Sequence, residues 1–481
     1  MANYILTLKL KTEIYQADIL NKRFEISRQM YNACLGHLFK QYNKMIRNDE
    51  YKNIVSMQKC KERNKQFQKM NKKYDLEEYS LHTYIKPMQH HFKENIDSFT
   101  AQKIATRCFD AFKKYMFHEA KRVYFKRYGE LNSIEGKTNF TGIKFKDNCL
   151  IWNGLSIPVI IKPNDLYVQQ ALLSPIKYCR IKREMIKGKY HYYVQLILEG
   201  IPPMKMTKQG EIKGQIGNGK VGIDIGTQTI AYSSQYEVGL KELAPEVNNI
   251  DRKIKLLQRK MDRSKRATNP LKFNKNDTIN IHNKDKWIYS NHYIKIKNIR
   301  KELYRKQSEI RKQSHNILAN YLLNLGNEFY VENMNYKGLQ ERSKKTTINE
   351  KTKKYNNKKR FGKSLANKAP SMFLMILDNK LKWNGTKLFK IDTYKVKASQ
   401  YNHFDGKYHK KELNERWNDF GDFKIQRDLY SSFLIMNVKD NLKEINRNLC
   451  FKTFDNFKEL HDKEINRLLN CDGKKISSMG I

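Results

Sequence analysis

The chain has 481 residues, with 94 Lys and Arg against 49 Asp and Glu, so its formal net charge is +45. This length allows about two to four domains, and a positive charge of this size has to be neutralised by a polyanion. Nucleic acid is favoured over an anionic membrane surface, because the basic residues are interleaved with 29 Tyr and 23 Phe that can stack on bases.

The seven cysteines are scattered and no two form a C-x-x-C, which argues against a disulfide framework and against a cysteine zinc site. The first residues, MANYILTLKLKTEIYQ, alternate like a strand and lack the apolar core of a secretory signal. The longest apolar runs are too short to span a bilayer. We therefore expect an intracellular protein with reduced cysteines.

The N-terminal part of the chain combines strand and helix patterns. Residues 4–10 (YILTLKL) alternate with period two and predict a strand, whereas residues 18–130 are mostly helical in pattern. Residues 178–200 predict a β-hairpin that turns at Lys187 and Gly188. The simplest interpretation is a β module that is split by a basic helical insertion.

The C-terminal part begins after residues 201–219, whose prolines and glycines predict a linker. The next stretch, VGIDIGTQTIAY (221–232), predicts a buried strand, and the basic segment 337–363 predicts a mobile loop. The remaining predicted elements are helices over about 245–263, 290–324 and 371–383, strands that end near residues 332 and 392, and a helix within 426–438.

The first strand of this part contains an ionisable residue, Asp224. A buried carboxylate is costly unless it is paired or bound to a metal. The DIGTQ stretch could cradle ATP phosphates, as the similar stretch of sugar kinases and actin-like ATPases does, or could present Asp224 to catalytic metal ions; a solvated turn aspartate is the simplest alternative. Because the later glycines are isolated and a sugar kinase has no use for a charge of +45, the sequence favours a nuclease.

Three carboxylates share one pattern: Asp224 lies inside a first strand, Glu332 closes a later strand and Asp428 opens a late helix. Taken singly, Glu332 could be an ordinary surface residue and Asp428 a helix N-cap. Together they fit a ribonuclease H-like α/β domain, which brings distant carboxylates to one edge of its sheet. Oxygen ligands suit Mg²⁺ or Mn²⁺, and two such ions about 4 Å apart can hydrolyse a phosphodiester.

Over nearly its whole length the chain resembles the TnpB family of transposon-encoded, RNA-guided nucleases, which are relatives of the compact type V CRISPR effectors. The most specific part is the RuvC-like set of GIDIGT with Asp224, VENMNYKGL with Glu332 and QRDLYSSFLI with Asp428. The other matching stretches are SRQMYNACL (27–35), AQKIATRCFDAF (101–112), RIKREMIKGKYHYYVQLILE (180–199) and KKRFGKSLANKAPSMFLMILDNKLKWNG (358–385).

The resemblance implies that Asp224, Glu332 and Asp428 form a metal-binding catalytic triad that holds two Mg²⁺ or Mn²⁺ ions. It also implies a guide RNA, a double-stranded DNA target beside a short motif, no membrane or required protein partner, and a bacterial, cytoplasmic, nucleoid-associated location. Two other functions stay open: a CRISPR-associated type V-like effector and a guided DNA-binding repressor that does not cleave. We also predict nucleic-acid contacts from Tyr31, Asn32, Gln102, Arg107, Lys344, Lys345 and Arg360.

The expected fold is multidomain α+β: a split β-barrel (wedge) domain with a helical recognition insertion, followed by a RuvC or ribonuclease H-like α/β nuclease domain. The predicted boundaries are residues 1–17 and 135–205 for the wedge domain, 18–134 for the recognition helices, 206–219 for the linker and 220–481 for the nuclease domain.

The chain departs from the family where a four-cysteine zinc ribbon is expected, within an insertion at 393–425. Aromatic residues stand where the four thiolates would be, and two histidines without cysteines make a weak zinc site. We therefore expect no zinc and an aromatic core instead. The four replacing residues are Tyr401, Phe404, Trp417 and Phe420, and the two histidines are His403 and His409.

Overall fold

The structure is a computed structural model that describes residues 3–206, 209–212, 214–341, 346–350, 353, 355, 361–412, 415–471 and 479–481. The chain divides into two compact units, Met1–Pro203 and Met204–Ile481, and both combine helices with a β-sheet. The finer domain boundaries expected from the sequence stay predictions.

The first unit contains a long antiparallel sheet and a group of helices inserted after its first strand. The sheet has the order β2-β6-β7-β1-β5-β4-β3, and β3 returns beside β6, so the sheet curls into a half-barrel. Its elements are β1 (Asn3–Leu10), α1 (Ile14–Arg47), α2 (Asp49–Ser56), α3 (Lys61–Lys73), α4 (Glu78–His91), α5 (Ser98–Met116), β2 (Ser133–Glu135), β3 (Lys144–Lys146), β4 (Cys149–Trp152), β5 (Leu155–Ile160), α6 (Leu166–Ala171), β6 (Ile176–Ile186) and β7 (Lys189–Glu199).

The predicted hairpin is present as β6 and β7, and its two-residue turn is formed by Lys187 and Gly188. Both turn residues have positive φ, +49° and +85°, which matches the twist of the flanking strands. Strand β1 alternates buried and exposed residues, because one of its faces packs on the core of the unit.

The helical prediction for residues 18–130 extends too far. Helix α5 ends at Met116, and residues 122–127 have no regular secondary structure. The physical reason is a tertiary contact: the side chain of Asn32 on α1 bonds both the backbone N–H and the backbone carbonyl of Lys126. A backbone that is paired in this way with another helix cannot also form its own helical hydrogen bonds.

The second unit contains a mixed five-stranded sheet, with the order β10-β9-β8-β11-β12. Strands β8 and β9 are antiparallel, whereas β8, β11 and β12 run parallel. Its elements are β8 (Lys220–Ile225), β9 (Thr229–Ser233), β10 (Val238–Glu242), α7 (Asp251–Thr268), a short 3-10 helix (Pro270–Lys272), α8 (Asn291–Leu323), β11 (Glu328–Glu332), α9 (Tyr336–Leu339), α10 (Gly362–Lys368), α11 (Pro370–Trp383), β12 (Leu388–Ile391), α12 (Thr393–Val396), β13 (Trp417–Asp419), β14 (Lys424–Gln426), α13 (Arg427–Met436) and α14 (Arg447–Leu469).

Helices cover both faces of this sheet, and each face has its own hydrophobic core. One core joins the sheet to α8 and α11, and the other joins it to α13 and α14. Neighbouring strand residues such as Phe329 and Tyr330 enter opposite cores, as the period of two requires. Strand β8 is therefore apolar on both faces between its two half-buried charged residues, Lys220 at its start and Asp224 near its end.

Helix α13 lies unusually close to the sheet, and Gly222 of β8 makes this approach possible. A Cβ at this position would collide with the backbone of Ser432 and Met436 on α13. Any larger residue here would move the helix away from the strand, so the glycine fixes the distance between α13 and β8.

No helix in the described part of the chain is long and apolar enough to cross a membrane. Within the basic segment 337–363, residues 342–345, 351, 352, 354 and 356–360 lie outside the described residues, so its prediction as a mobile loop is untested.

Candidate nuclease site

Asp224 lies in β8 and faces α13. It pairs with Ala231 of β9, a member of the core beneath α13, and its carboxylate is hydrogen-bonded by Ser431 of that helix. Part of the side chain reaches a cleft lined by the tight turn at Gly226–Thr229. Asp224 is therefore a half-buried carboxylate at the edge of the sheet and not a freely solvated turn residue.

Glu332 is the last residue of β11, the parallel neighbour of β8. Val331 pairs with Ile223, so the next residues along the two strands are Glu332 and Asp224. Because the strands are parallel, their carboxyl ends meet at the same edge of the sheet. Burial raises the pKa of Glu332 above its usual value, which an ordinary surface glutamate would not show.

Asp428 lies in the first turn of α13, but it is not the N-cap. Gln426 is the cap, and its side-chain oxygen accepts a hydrogen bond from the N–H of Leu429. The carboxylate of Asp428 instead meets two arginines, with Arg427 Nε 3.3 Å and Arg416 Nη1 3.8 Å away. The interpretation of Asp428 as a simple cap is therefore wrong, because its carboxylate pairs with basic side chains and not with the helix backbone.

The three carboxylates line one cleft of about 400 Å³. Burial raises the pKa of Asp224 well above its usual value, and the neighbouring charges of Asp428 and Glu332 raise it further. Three acidic groups that repel one another in a partly desolvated place favour a positive charge between them.

Positive side chains that also line this cleft were not recognised in the sequence. Lys411, Arg416 and Arg427 line it together with the carboxylates. Lys411 is hydrogen-bonded to Asn418, and Arg427 also donates to the carbonyl of Glu415 at 2.9 Å. Arg427 precedes Asp428 in the QRD motif, which was a local signal, whereas nothing in the pattern around Arg416 or Lys411 indicated that they would enter the cleft.

The donor chemistry of the cleft fits a hard divalent cation, since all three acidic residues supply carboxylate oxygens. Their present spacing fits less well. Among the residues that the structure describes, no three His, Cys, Asp or Glu side chains are close enough to hold one metal ion together. Asp428 would have to exchange its arginine partners for the ion, while Asp224 and Glu332 already lie side by side on neighbouring strands.

The segment expected to replace the zinc ribbon packs against α13 and α14 through aromatic rings. Phe404 and Phe420 meet edge to face at 5.1 Å, and Tyr401 lies 5.1 Å from Tyr408 at the margin of the same core. Trp417 lies apart from them. Its indole N–H donates to the carbonyl of Gly480, and its ring meets His461. The four aromatic residues therefore do not form one cluster, because the indole N–H of Trp417 finds its acceptor elsewhere.

The two histidines of this segment have different environments. His403 is fully buried among aromatic rings, its Nδ1 lies 2.6 Å from the hydroxyl of Tyr430, and burial lowers its pKa to about 4. His409 is exposed and pairs with Asp405 at 2.7 Å. They do not face a common point with a third ligand in the described part of the segment. The absence of zinc stays a prediction.

Of the seven residues predicted to contact nucleic acid, four lie within the described part of the chain and three lie outside it. Tyr31 is buried, Asn32 bonds the backbone of Lys126, and Arg107 donates to the carbonyl of Ser133 at 2.7 Å, so these side chains are used inside the fold. Gln102 accepts a hydrogen bond from Lys137. Outside the described residues lie Lys344, Lys345 and Arg360.

No protein-family model matches the chain, and no curated protein matches it. Among solved structures, a Cas12f1–sgRNA–target DNA complex is similar with 10% identity and a TM-score of 0.48, covering 87% of this chain and 82% of that chain. A CRISPR-Cas12f ternary complex shows 11% identity and a TM-score of 0.26, covering 88% and 82%. Both likenesses are too distant to establish a family or an activity.

Proposed function

We propose that this chain is an RNA-guided, metal-dependent endonuclease of transposon origin that cleaves DNA beside a short recognition motif. The observation that carries the proposal is the convergence of Asp224, Glu332 and Asp428, from three distant parts of the sequence, on one cleft that basic residues line as well.

The mixed acidic and basic lining of the cleft suits a phosphodiester. Lys411 and Arg416 offer N–H donors and positive charge to phosphate oxygens, while the carboxylates can hold a cation against the same group. Asp224 and Glu332 would hold the first ion. When phosphate oxygens replace the Asp428 carboxylate as partners of Arg416 and Arg427, Asp428 would become a further ligand. Bound Mg²⁺ or Mn²⁺ would supply a Lewis acid and an activated water.

Guidance by RNA is supported by the charge of +45 and by the resemblance of the RuvC-like motifs to the TnpB family. Binding of this kind draws on many phosphate contacts, and it should weaken steeply as the salt concentration rises. The proposed partners are therefore a guide RNA and a double-stranded DNA target.

One observation favours a second candidate, a guided DNA-binding protein that does not cleave. The arginine pairs of Asp428 compensate its charge without a metal, and no three acidic groups in the described residues share an ion. The two candidates differ in a single measurable property, which is cleavage of bound DNA in the presence of Mg²⁺.

The test uses the protein together with the RNA that copurifies with it, which is sequenced to define a matching duplex. Replacing Asp224, Glu332 or Asp428 with Ala should lower cleavage by more than about 100-fold, since disturbing even the surroundings of metal ligands costs about 10- to 100-fold. Binding of the duplex should stay nearly unchanged. Asp440→Ala is the matched control, because this aspartate is 98% exposed outside the cleft.

Two results would contradict the proposal. If the wild-type protein binds the matching duplex but leaves it intact in Mg²⁺ and in Mn²⁺, the non-cleaving candidate is correct. If an RNA-free preparation cuts the same duplex as fast as the complex, guidance by RNA is wrong.

A further inference from the structure

Residues 117–128, which we call the strap, join α5 to the strand β2 and lie outside any helix. The last eight of them, KRVYFKRY, contain four basic residues, three aromatic residues and no acidic residue. Basic and aromatic side chains that alternate along an extended backbone are the composition of surfaces that bind single-stranded nucleic acid.

The strap is held against one face of α1. Gly129, just after the strap, donates its N–H to Glu25 at 3.1 Å, Lys126 is bonded through its backbone by Asn32, and Phe125 packs beside Gly36. On α1, Glu25 and Asn32 lie about two helical turns apart, and Asn32 and Gly36 lie about one turn apart. The three positions therefore form a single stripe along the helix. The strap therefore runs antiparallel to α1 and has a defined conformation before any ligand arrives.

This attachment leaves the tyrosine rings of the strap in solvent. Tyr124 is 66% exposed and Tyr128 is 81% exposed, and Arg122 and Arg127 beside them are exposed as well. Tyr124 and Tyr128 are four positions apart in the chain, so their Cα atoms lie at most about 14 Å from each other. Two exposed rings at this distance, each with an arginine nearby, form a surface for bases and phosphates together.

We propose that the strap binds unpaired nucleotides of RNA by stacking bases on Tyr124 and Tyr128. Bases of a duplex are stacked on each other and cannot reach these rings, so the ligand has to be unpaired. RNA is chosen over a DNA strand because the proposed function supplies a guide RNA that stays bound, whereas a single DNA strand appears only after a duplex opens. The inference rests on the proposed function insofar as the RNA is the guide.

The contacts between the strap and α1 give a structural role to Asn32 and Tyr31, two of the residues that the sequence predicted to contact nucleic acid. Asn32 fixes the backbone of Lys126, and the ring of Tyr31 lies 5.8 Å from the Lys126 Nζ. These two residues therefore position the strap, and the exposed tyrosines of the strap make the contact.

The experiment measures binding of a short fluorescein-labelled oligoribonucleotide without internal pairing to the full-length, RNA-free protein. Tyr124→Ala and Tyr128→Ala should each weaken binding roughly tenfold or more, because a base loses its stacking partner. Tyr124→Phe and Tyr128→Phe should bind like the wild type. Tyr79→Ala is the matched control: this tyrosine is 78% exposed on α4 and lies outside the strap.

The charge contribution is read from the salt dependence. Arg122→Gln and Arg127→Gln should each reduce the slope of log K against log salt by about one. A DNA oligonucleotide of the same sequence should lose about as much affinity as the RNA on Tyr124→Ala, because the ring stacks on the base and not on the sugar.

The inference would be overturned by unchanged RNA binding in both alanine variants, or by an equal loss of RNA binding in the control Tyr79→Ala. These outcomes leave the proposed function intact if the variants still require RNA for cleavage. A wild-type protein that binds no RNA at all would overturn both. Asp224→Ala, which disables only the cleft, should bind the RNA normally and so separates the two proposals.

Discussion

Helix α13 lies between two regions of the second unit that differ in chemistry. On one side Asp428 lines a cleft with three carboxylates and three basic side chains, and Ser431 is hydrogen-bonded to Asp224. On the other side Tyr430 and Phe433 pack among the aromatic rings around His403. One region brings like charges together and the other buries apolar surface.

The difference shows how a strained site can be maintained. Burial, together with repulsion from Asp428 and Glu332, raises the pKa of Asp224, so the ionised site costs folding free energy. The aromatic core holds the same helix in place, and Arg447 adds hydrogen bonds to the carbonyls of His403 and Phe404 at 2.7 and 2.6 Å. The aromatic contacts on one side of α13 thereby fix the position of Asp428 on its other side.

The largest effect is expected on the aromatic side. Phe433 is fully buried and stacks on Phe457 at 4.4 Å, so Phe433→Ala should lower the free energy of unfolding by about 3–5 kcal/mol. Trp417→Ala should cost less, about 1–3 kcal/mol, because the ring is only half-buried and loses one hydrogen bond to Gly480. Urea denaturation gives both values. An equal or larger cost for Trp417→Ala would show that this tryptophan, and not the phenylalanine cluster, holds the segment.

The second prediction tests whether α13 couples the two regions. Gly222→Ala should push the helix away from β8, cost about 1–3 kcal/mol and lower cleavage by moving Asp428. Gly36→Ala is the matched control, since its added Cβ would meet nothing closer than 3.9 Å. The coupling would be disproved if Gly222→Ala unfolded at lower urea but cleaved at the wild-type rate.

The third prediction concerns the folding free energy that the ionised Asp224 carboxylate costs in the cleft. The pKa of Asp224 is raised in the folded state, so the carboxyl group loses stabilising free energy as the pH rises from its unfolded pKa towards its folded pKa. Asp224→Asn removes this loss. In EDTA at pH 8 the variant should be more stable by at least about 1 kcal/mol, or about 2–4 °C in Tm.

The advantage of Asp224→Asn should shrink as the pH is lowered towards 4, because the folded wild-type carboxyl is then protonated and the unfolded one, near its pKa of about 3.8, is only about half ionised. Asp440→Asn, at a fully solvated position, should show no such trend. A constant difference between pH 4 and pH 8 would mean that repulsion does not strain the cleft.

The smallest effect is expected for His409, which is exposed and pairs only with Asp405. His409→Gln should change stability by less than about 0.5 kcal/mol, as is usual for a surface ion pair.

Elemental analysis should find no stoichiometric zinc. One zinc per chain that disappears on mutating His403 or His409 would instead identify a metal site in the aromatic region.

The sequence by itself determined the elements that carry strong local patterns. Hairpin β6–β7, strand β8 and helices α8 and α11 follow from periodicity and turn residues, since such patterns depend on near neighbours. It also placed Asp224 in a strand, Glu332 at a strand end and Asp428 in the first turn of a helix, because an ionisable residue next to an apolar run is visible without a fold.

The tertiary structure alone decided which polar groups meet. Arg416 and Lys411 line the same cleft as Asp224, which is far from them in the sequence. Trp417 lies apart from the other aromatic rings because its indole N–H donates to the carbonyl of Gly480. The strap was mistaken for helix because its backbone is paired with Asn32, about a hundred residues earlier. A hydrogen bond across such a separation overrides local propensity, and no local pattern records it.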